Sequence, residues 1–179
     1  DESGRHIDSE KMYDNLMNKF KFGGLDNPDI YLDETVLRMC YTHRRIFAQL
    51  GLQLVREGKA DKAQKLLEKV EKEIPAYNVP HGWQRGSLDI ARAWITLNQP
   101  KKGEDIAQQV AHTACEYLDW YLGMDSKYAK ISSYEIRSNF YVLQEALELL
   151  QASGSKLAKD YEASLAHYYE LMSQSEGGY

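Results

Sequence analysis

The chain has 179 residues and only two cysteines, Cys40 and Cys115. Each falls inside a helical pattern, and neither belongs to a Cys-x-x-Cys. The spacing predicts two buried thiols, free or paired, and gives no thiolate metal motif. Four prolines, set among long helical periodicities, point to an all-α chain. A formal charge of -5 leaves no basic face to meet phosphates, so a nucleic-acid partner is not expected. No apolar run approaches the roughly 18–20 residues that span a bilayer, so these residues do not cross a membrane. The start, Asp1-Glu2-Ser3-Gly4-Arg5, is polar and is no signal peptide; any targeting segment would lie upstream.

Catalytic patterns are also missing. There is no His-Glu-x-x-His, no Walker loop, no Gly-x-Ser-x-Gly and no Gly-x-Gly-x-x-Gly. The histidines are five and well separated. His112, Cys115 and Asp119 share one helix face, but one helix offers three ligands at most and no fourth matches. Glu68-Lys69-Val70-Glu71-Lys72 is a solvated face with paired charges. No catalytic residue, metal or cofactor is therefore nominated, and these residues are not expected to form an enzyme.

What the chain does have is a helix pair from Phe47 to Pro75. Phe47, Leu50 and Leu54 share one face, Leu66, Leu67 and Val70 another. Gly51 and Ala63 are small enough for two helix backbones to approach. Gly58 can end the first helix in the left-handed conformation, and Pro75 cannot continue the second. This order matches the tetratricopeptide (TPR) pattern, with Leu54 and Leu67 in place of the usual aromatics. Aligning Asn98 with Gly58 puts Ala91 at the place of Gly51 and Gly103 at that of Ala63. In a third unit Ala146, Ser153 and Ala158 take the small positions. The spacing predicts a TPR-like helical repeat of about seven helices, because one such pair cannot bury its own apolar face.

Along the chain, residues 1–32 form an N-terminal helix and loop, with Asp8 as its cap. Residues 33–173 form the repeats, approximately 33–75, 81–123 and 132–172, and 174–179 form a tail. Asp33 caps the second helix, whose apolar stripe runs through Val36, Met39, Cys40, His43, Ile46 and Phe47. The fourth helix carries Trp83, Leu88 and Ile90. Ser132-Ser133-Tyr134-Glu135 has the form of a capping box.

Candidate binding residues sit near loops. Tyr77, His81, Trp83 and Arg85 lie in the long connection between two repeats, where a partner could dock. His43 and Arg44, with Arg45, offer a small basic spot. Nine of the thirteen tyrosines lie at or after Tyr117. They serve either as packing at the edges of stacked helices or as the lining of an aromatic groove for a peptide or a sugar.

The stretch from Met12 to Glu34, which contains Asn-Pro-Asp-x-Tyr-Leu-Asp-Glu from Asn27 to Glu34, runs into Arg38-Met39-Cys40 and the first repeat. It resembles the C-terminal region of a Bacteroidetes family of multi-pass membrane proteins. The membrane part of that family, catalogued as a domain of unknown function, is similar to integral-membrane glycosyltransferases, including protein O-mannosyltransferases that use lipid-linked sugars. The resemblance is close from Met12 to about Pro80 and looser beyond. It implies a tail on the periplasmic face of the inner membrane, tethered by upstream segments, with the catalytic residues upstream. None of those residues is carried onto this sequence, and the Asn27–Glu34 motif itself suits a turn and a helix cap.

The expected function is a non-catalytic binding module that presents an inner face to a protein or peptide. The alternatives are a carbohydrate-contacting accessory domain, in which tyrosines and Trp83 or Trp120 meet a glycan or acceptor protein, and a structural dimerisation domain. The inner face is expected to lack a deep preformed pocket.

Overall fold

The computed structural model describes residues 7–82 and 86–176, and among them there is no strand. Helix α1, Ser9–Asp14, continues into a π-helical stretch, Asn15–Lys19. There follow α2 (Glu34–Arg56), α3 (Ala60–Glu73), α4 (Ser87–Thr96), α5 (Pro100–Leu122), α6 (Ser126–Ile131), α7 (Ser133–Ala152) and α8 (Ala158–Glu176). The short α6 was not expected from the sequence.

Local chemistry sets the helix starts. Asp8 accepts the Lys11 N–H at 3.0 Å, and Asp33 accepts the Val36 N–H at 2.8 Å. Asn27 Oδ1 accepts the Asp29 N–H at 3.0 Å, so the Asn27–Glu34 motif makes a side-chain-braced turn and then a helix cap.

Three turns share one set of hydrogen bonds. Lys59 N–H reaches the Leu54 carbonyl, Gln99 N–H that of Trp94, and Ser155 N–H that of Leu150, at 2.8, 2.9 and 2.9 Å. The residues before them, Gly58, Asn98 and Gly154, have φ of 73°, 60° and 74° and donate to Val55, Ile95 and Gln151. Each is a Schellman closure, which satisfies carbonyls that a helix end would otherwise leave open. The third unit corrects the expected alignment by one residue. Ser153 keeps a right-handed φ of -78°, and Gly154, which has no Cβ to penalise the left-handed region, takes the turn. Leu147 rather than Ala146 then stands seven residues before the turn, although Ala146 is fully buried.

The helices pack in chain order. α2 lies against α3 and α4, α4 against α5 and α7, and α5 against α7, with α8 on α7 and α5. No extensive contact joins α2 or α3 to α7 or α8. One continuous core threads the set: Phe47, Leu50 and Leu54 with Leu66 and Leu67, then Ile90 and Trp94 with Ile106 and Val110, then Leu143 and Leu150. Each such side chain, fully buried, stabilises the fold by about 1.5–3 kcal/mol. The small residues let this happen. A Cβ on Gly51 would meet Leu67 Cδ2 at 3.0 Å, and one on Gly103 would meet the Ala91 carbonyl oxygen at 2.7 Å.

Two expectations change. The α2 stripe is rotated, so that Arg44 is buried while Val36 and Met39 are exposed. α4 begins at Ser87 instead of carrying Trp83, and Trp83 lies outside the described residues. Gly86 stands before α4 with φ of 72°, and a Cβ there would sit 2.9 Å from Arg45 Cα, so the chain presses onto α2 before it turns into the helix.

Candidate functional site

The length of α4 creates the principal cleft. α4 has 10 residues, whereas α5 has 23 and α7 has 20. At about 1.5 Å per residue, α5 runs on past the start of α4 by roughly 15–20 Å. The space there is a half-open cleft of about 350 Å³ between the C-terminal half of α5 and the N-terminal half of α7. Its lining has Val110, Ala114 and Val142, which are buried, together with Thr113, Tyr117 and Tyr121 from α5 and Tyr134, Glu135, Ser138 and Asn139 from α7. His81 and Gly82, which follow α3 and precede α4 in the chain, complete the lining. The Tyr117 and Tyr121 rings are stacked with centroids 6.3 Å apart, and Trp120 lies 4.8 Å from Tyr121. Trp120 is 60% exposed and Tyr134 69%, a large aromatic surface left uncovered.

Glu135 faces this cleft because its local partner is taken. In a capping box its carboxylate would reach back to the Ser132 N–H. The box does not form. α6 feeds directly into α7, the Ser132 N–H donates to the Tyr128 carbonyl at 3.0 Å, and the Ser132 side chain makes no cap bond. Among the described residues the Glu135 carboxylate has no hydrogen bond or ion pair, while its backbone carbonyl accepts from Asn139 Nδ2 at 2.9 Å. Partial burial, then the Glu135 charge, then Tyr117 push the Tyr121 phenol up.

The sequence-nominated residues fall in different places. Arg44 is only 1% exposed. Its guanidinium donates to the carbonyls of Pro80, Ile74 and Val79 at 3.0, 2.8 and 2.6 Å, pinning the end of α3 and the following loop onto α2. His43 sets its ring edge-on against Phe20 and Phe22, at 5.8 and 5.4 Å, and its Nδ1 lies 2.8 Å from the Met39 carbonyl. The expected basic spot therefore reduces to Arg45 alone, because its other two members hold the N-terminal segment and the loop after α3 in place. Tyr77 is exposed, with its hydroxyl donating to the Asp26 carbonyl at 2.8 Å. Asn78 adds two bonds from the same loop to the carbonyls of Leu25 and Asn27. His81 Nδ1 lies 2.9 Å from Ser87 Oγ and borders both the principal cleft and a second one of about 340 Å³, floored by Arg44 and Ile74 beside Lys102. Trp83 and Arg85 lie outside the described residues.

Sequence reasoning did not single out Tyr117, Tyr121 or Tyr134 as cleft residues, and the tyrosine enrichment from Tyr117 onward was their one signal; Glu135 was read as a capping-box residue instead.

Elsewhere on α5, Asp119 accepts the hydroxyl of buried Tyr168 at 2.7 Å. Burial, then Asp119, push that phenol far above its usual range. Cys40 and Cys115 are both free thiols, the first buried and the second half-buried, and burial pushes both up. No group of three or more His, Cys, Asp or Glu is placed to hold a metal ion among the described residues. No helix among them is long and apolar enough to cross a membrane. What the principal cleft offers a ligand is three phenol rings, the His81 imidazole, hydroxyl and amide groups, and one carboxylate. No protein family, no characterised protein and no solved structure matches this chain.

Proposed function

We propose that the chain is a non-catalytic, TPR-like helical-repeat module that holds a segment of a partner protein in the cleft between α5 and α7. The observation that carries this reading is the cleft itself: an open, aromatic-lined groove framed by two long helices where a short one leaves room. Its residues suit contact more than bond-making, since rigid aromatic rings give large contact area at low entropic cost. The repeated Schellman turns and the chain-order packing support the TPR-like reading. In line with the sequence resemblance, the module is the extracytoplasmic tail of a membrane glycosyltransferase.

A second reading has one observation in its favour. Exposed rings at Trp120, Tyr117 and Tyr134 beside a carboxylate form a surface on which a sugar can stack.

Affinity purification from the parent cell's membranes tests the proposal. Replacing Tyr117 and Tyr134 by Ala is expected to lose a defined protein partner. Recovery of the same partners by the double variant, with its fold intact by circular dichroism, would overturn it.

A further inference from the structure

We infer that the cleft between α5 and α7 takes the cationic side chain of a lysine or arginine in an extended segment of the partner polypeptide. The inference rests on the binding-module reading and adds the chemistry of the occupant. Three tyrosine rings line the cleft, and the quadrupole of an aromatic ring attracts a cation to its face. Glu135 supplies a full negative charge beside them, released from helix capping by the α6–α7 junction. The described lining contains no Lys or Arg. Arg137, the nearest arginine along α7, turns its Nε–H to the Ser133 carbonyl at 3.2 Å. Among the described residues the lining thus carries one carboxylate and no Lys or Arg, and its charge complement is positive.

The groove also continues along α5. Thr113 and Tyr117 are shared with an adjoining hollow that contains Trp120 and a second carboxylate, Glu116. Among the described residues, Glu116 has only the His112 ring, at 3.6 Å, as an ion-pair partner. Two carboxylates set among aromatic rings along one helix suit an extended chain with spaced basic residues better than a compact ion. A neutral glycan would use the rings but gain nothing from the charges.

The test is an NMR titration of the whole 179-residue chain with four capped nine-residue peptides and one sugar. The peptides share a Gly-Ser background and carry Lys, Arg, Glu or Leu at alternate positions; the sugar is maltohexaose. The Lys and Arg peptides are expected to shift the ring signals of Tyr117, Tyr121 and Tyr134 saturably, and added salt to weaken them. Glu135→Gln, an exposed and conservative change, is expected to weaken binding about tenfold. The inference is overturned if the Glu or Leu peptide binds as tightly, if Glu135→Gln leaves affinity unchanged, or if only maltohexaose moves these rings. Saturable peptide binding that leaves the three tyrosines unmoved sinks the inference and spares the binding-module reading. No binding by any peptide sinks both.

Discussion

A methyl group placed on Gly103 would stand 2.7 Å from the backbone carbonyl oxygen of Ala91 and 2.5 Å from Cγ1 of Ile95. The closest approach of α4 to α5 therefore depends on a missing side chain. Gly103→Ala should destabilise the fold by about 1–3 kcal/mol, even though a helix interior favours Ala over Gly by about 1 kcal/mol. Gly51→Ala meets only the flexible end of Leu67, at 3.0 Å, and should fall within about 1 kcal/mol of neutral. Urea unfolding of the two variants side by side measures the difference.

Arg44 should be among the most sensitive positions. Its side chain serves three carbonyls that lie up to 36 residues away in sequence. Arg44→Met keeps the apolar stem but leaves those acceptors without their charged donor, at a cost of about 3 kcal/mol or more. Arg44→Lys should recover only part of this, because one ammonium cannot span the fork that reaches both Pro80 and Ile74. The urea midpoint of each variant reports it.

Asn98 holds the left-handed turn that glycines hold at 58 and 154. Asn98→Ala should cost about 1–2 kcal/mol, since alanine gains nothing there to offset its Cβ. Asn98→Gly should be neutral or stabilising. Thermal unfolding of the two variants checks the sign.

α1 is fastened to the turn between α2 and α3 by charge. Lys59 lies 2.8 Å from Glu10 and 2.6 Å from Glu57, and Ser9 donates to Glu57 at 2.7 Å. Lys59, then Ser9 and Gln53, hold the Glu57 carboxyl down to about 2, and Lys59 and Lys62 lower Glu10. Glu57 thus has a folded pKa below its ordinary 4.5, so its contribution is whole above that value and is lost as pH falls through about 2. Lys59 is raised above 10.5, so its contribution is whole below that value and fades as pH rises through its folded pKa. The protection of the Ser9–Asp14 amides, taken relative to the intrinsic exchange rate at each pH, should hold between about pH 5 and 10 and fall toward pH 2, while that of the core helices falls later. High salt should loosen the same fastening, because the charged members, Lys59, Glu10 and Glu57, are all reached by solvent.

The parts of this fold that are written locally were legible. Asp8 and Asp33 cap helices because a carboxylate before an apolar-periodic run has few other uses. Gly51, Ala63, Ala91 and Gly103 repeat at a fixed interval because they mark helix crossings. The cleft was not legible, since it depends on how short α4 is against α5 and α7. Glu135 misled for a related reason: a sequence pattern names a backbone partner, but here another carbonyl claims that partner first. Arg44 carried a signal that its charge obscured. It stands four residues after Cys40 and three before Phe47, on the buried face of α2.

The most direct measurement is site-specific photo-crosslinking in cells that express this chain. p-Benzoylphenylalanine is placed at 138, in the cleft, and at 49, on an exposed face of α2 away from it. A partner polypeptide should be captured from 138 and not from 49, and the adduct should disappear when Tyr134 is replaced by Ala. Equal capture from both positions, or capture from 138 that ignores Tyr134, would contradict a partner held between α5 and α7.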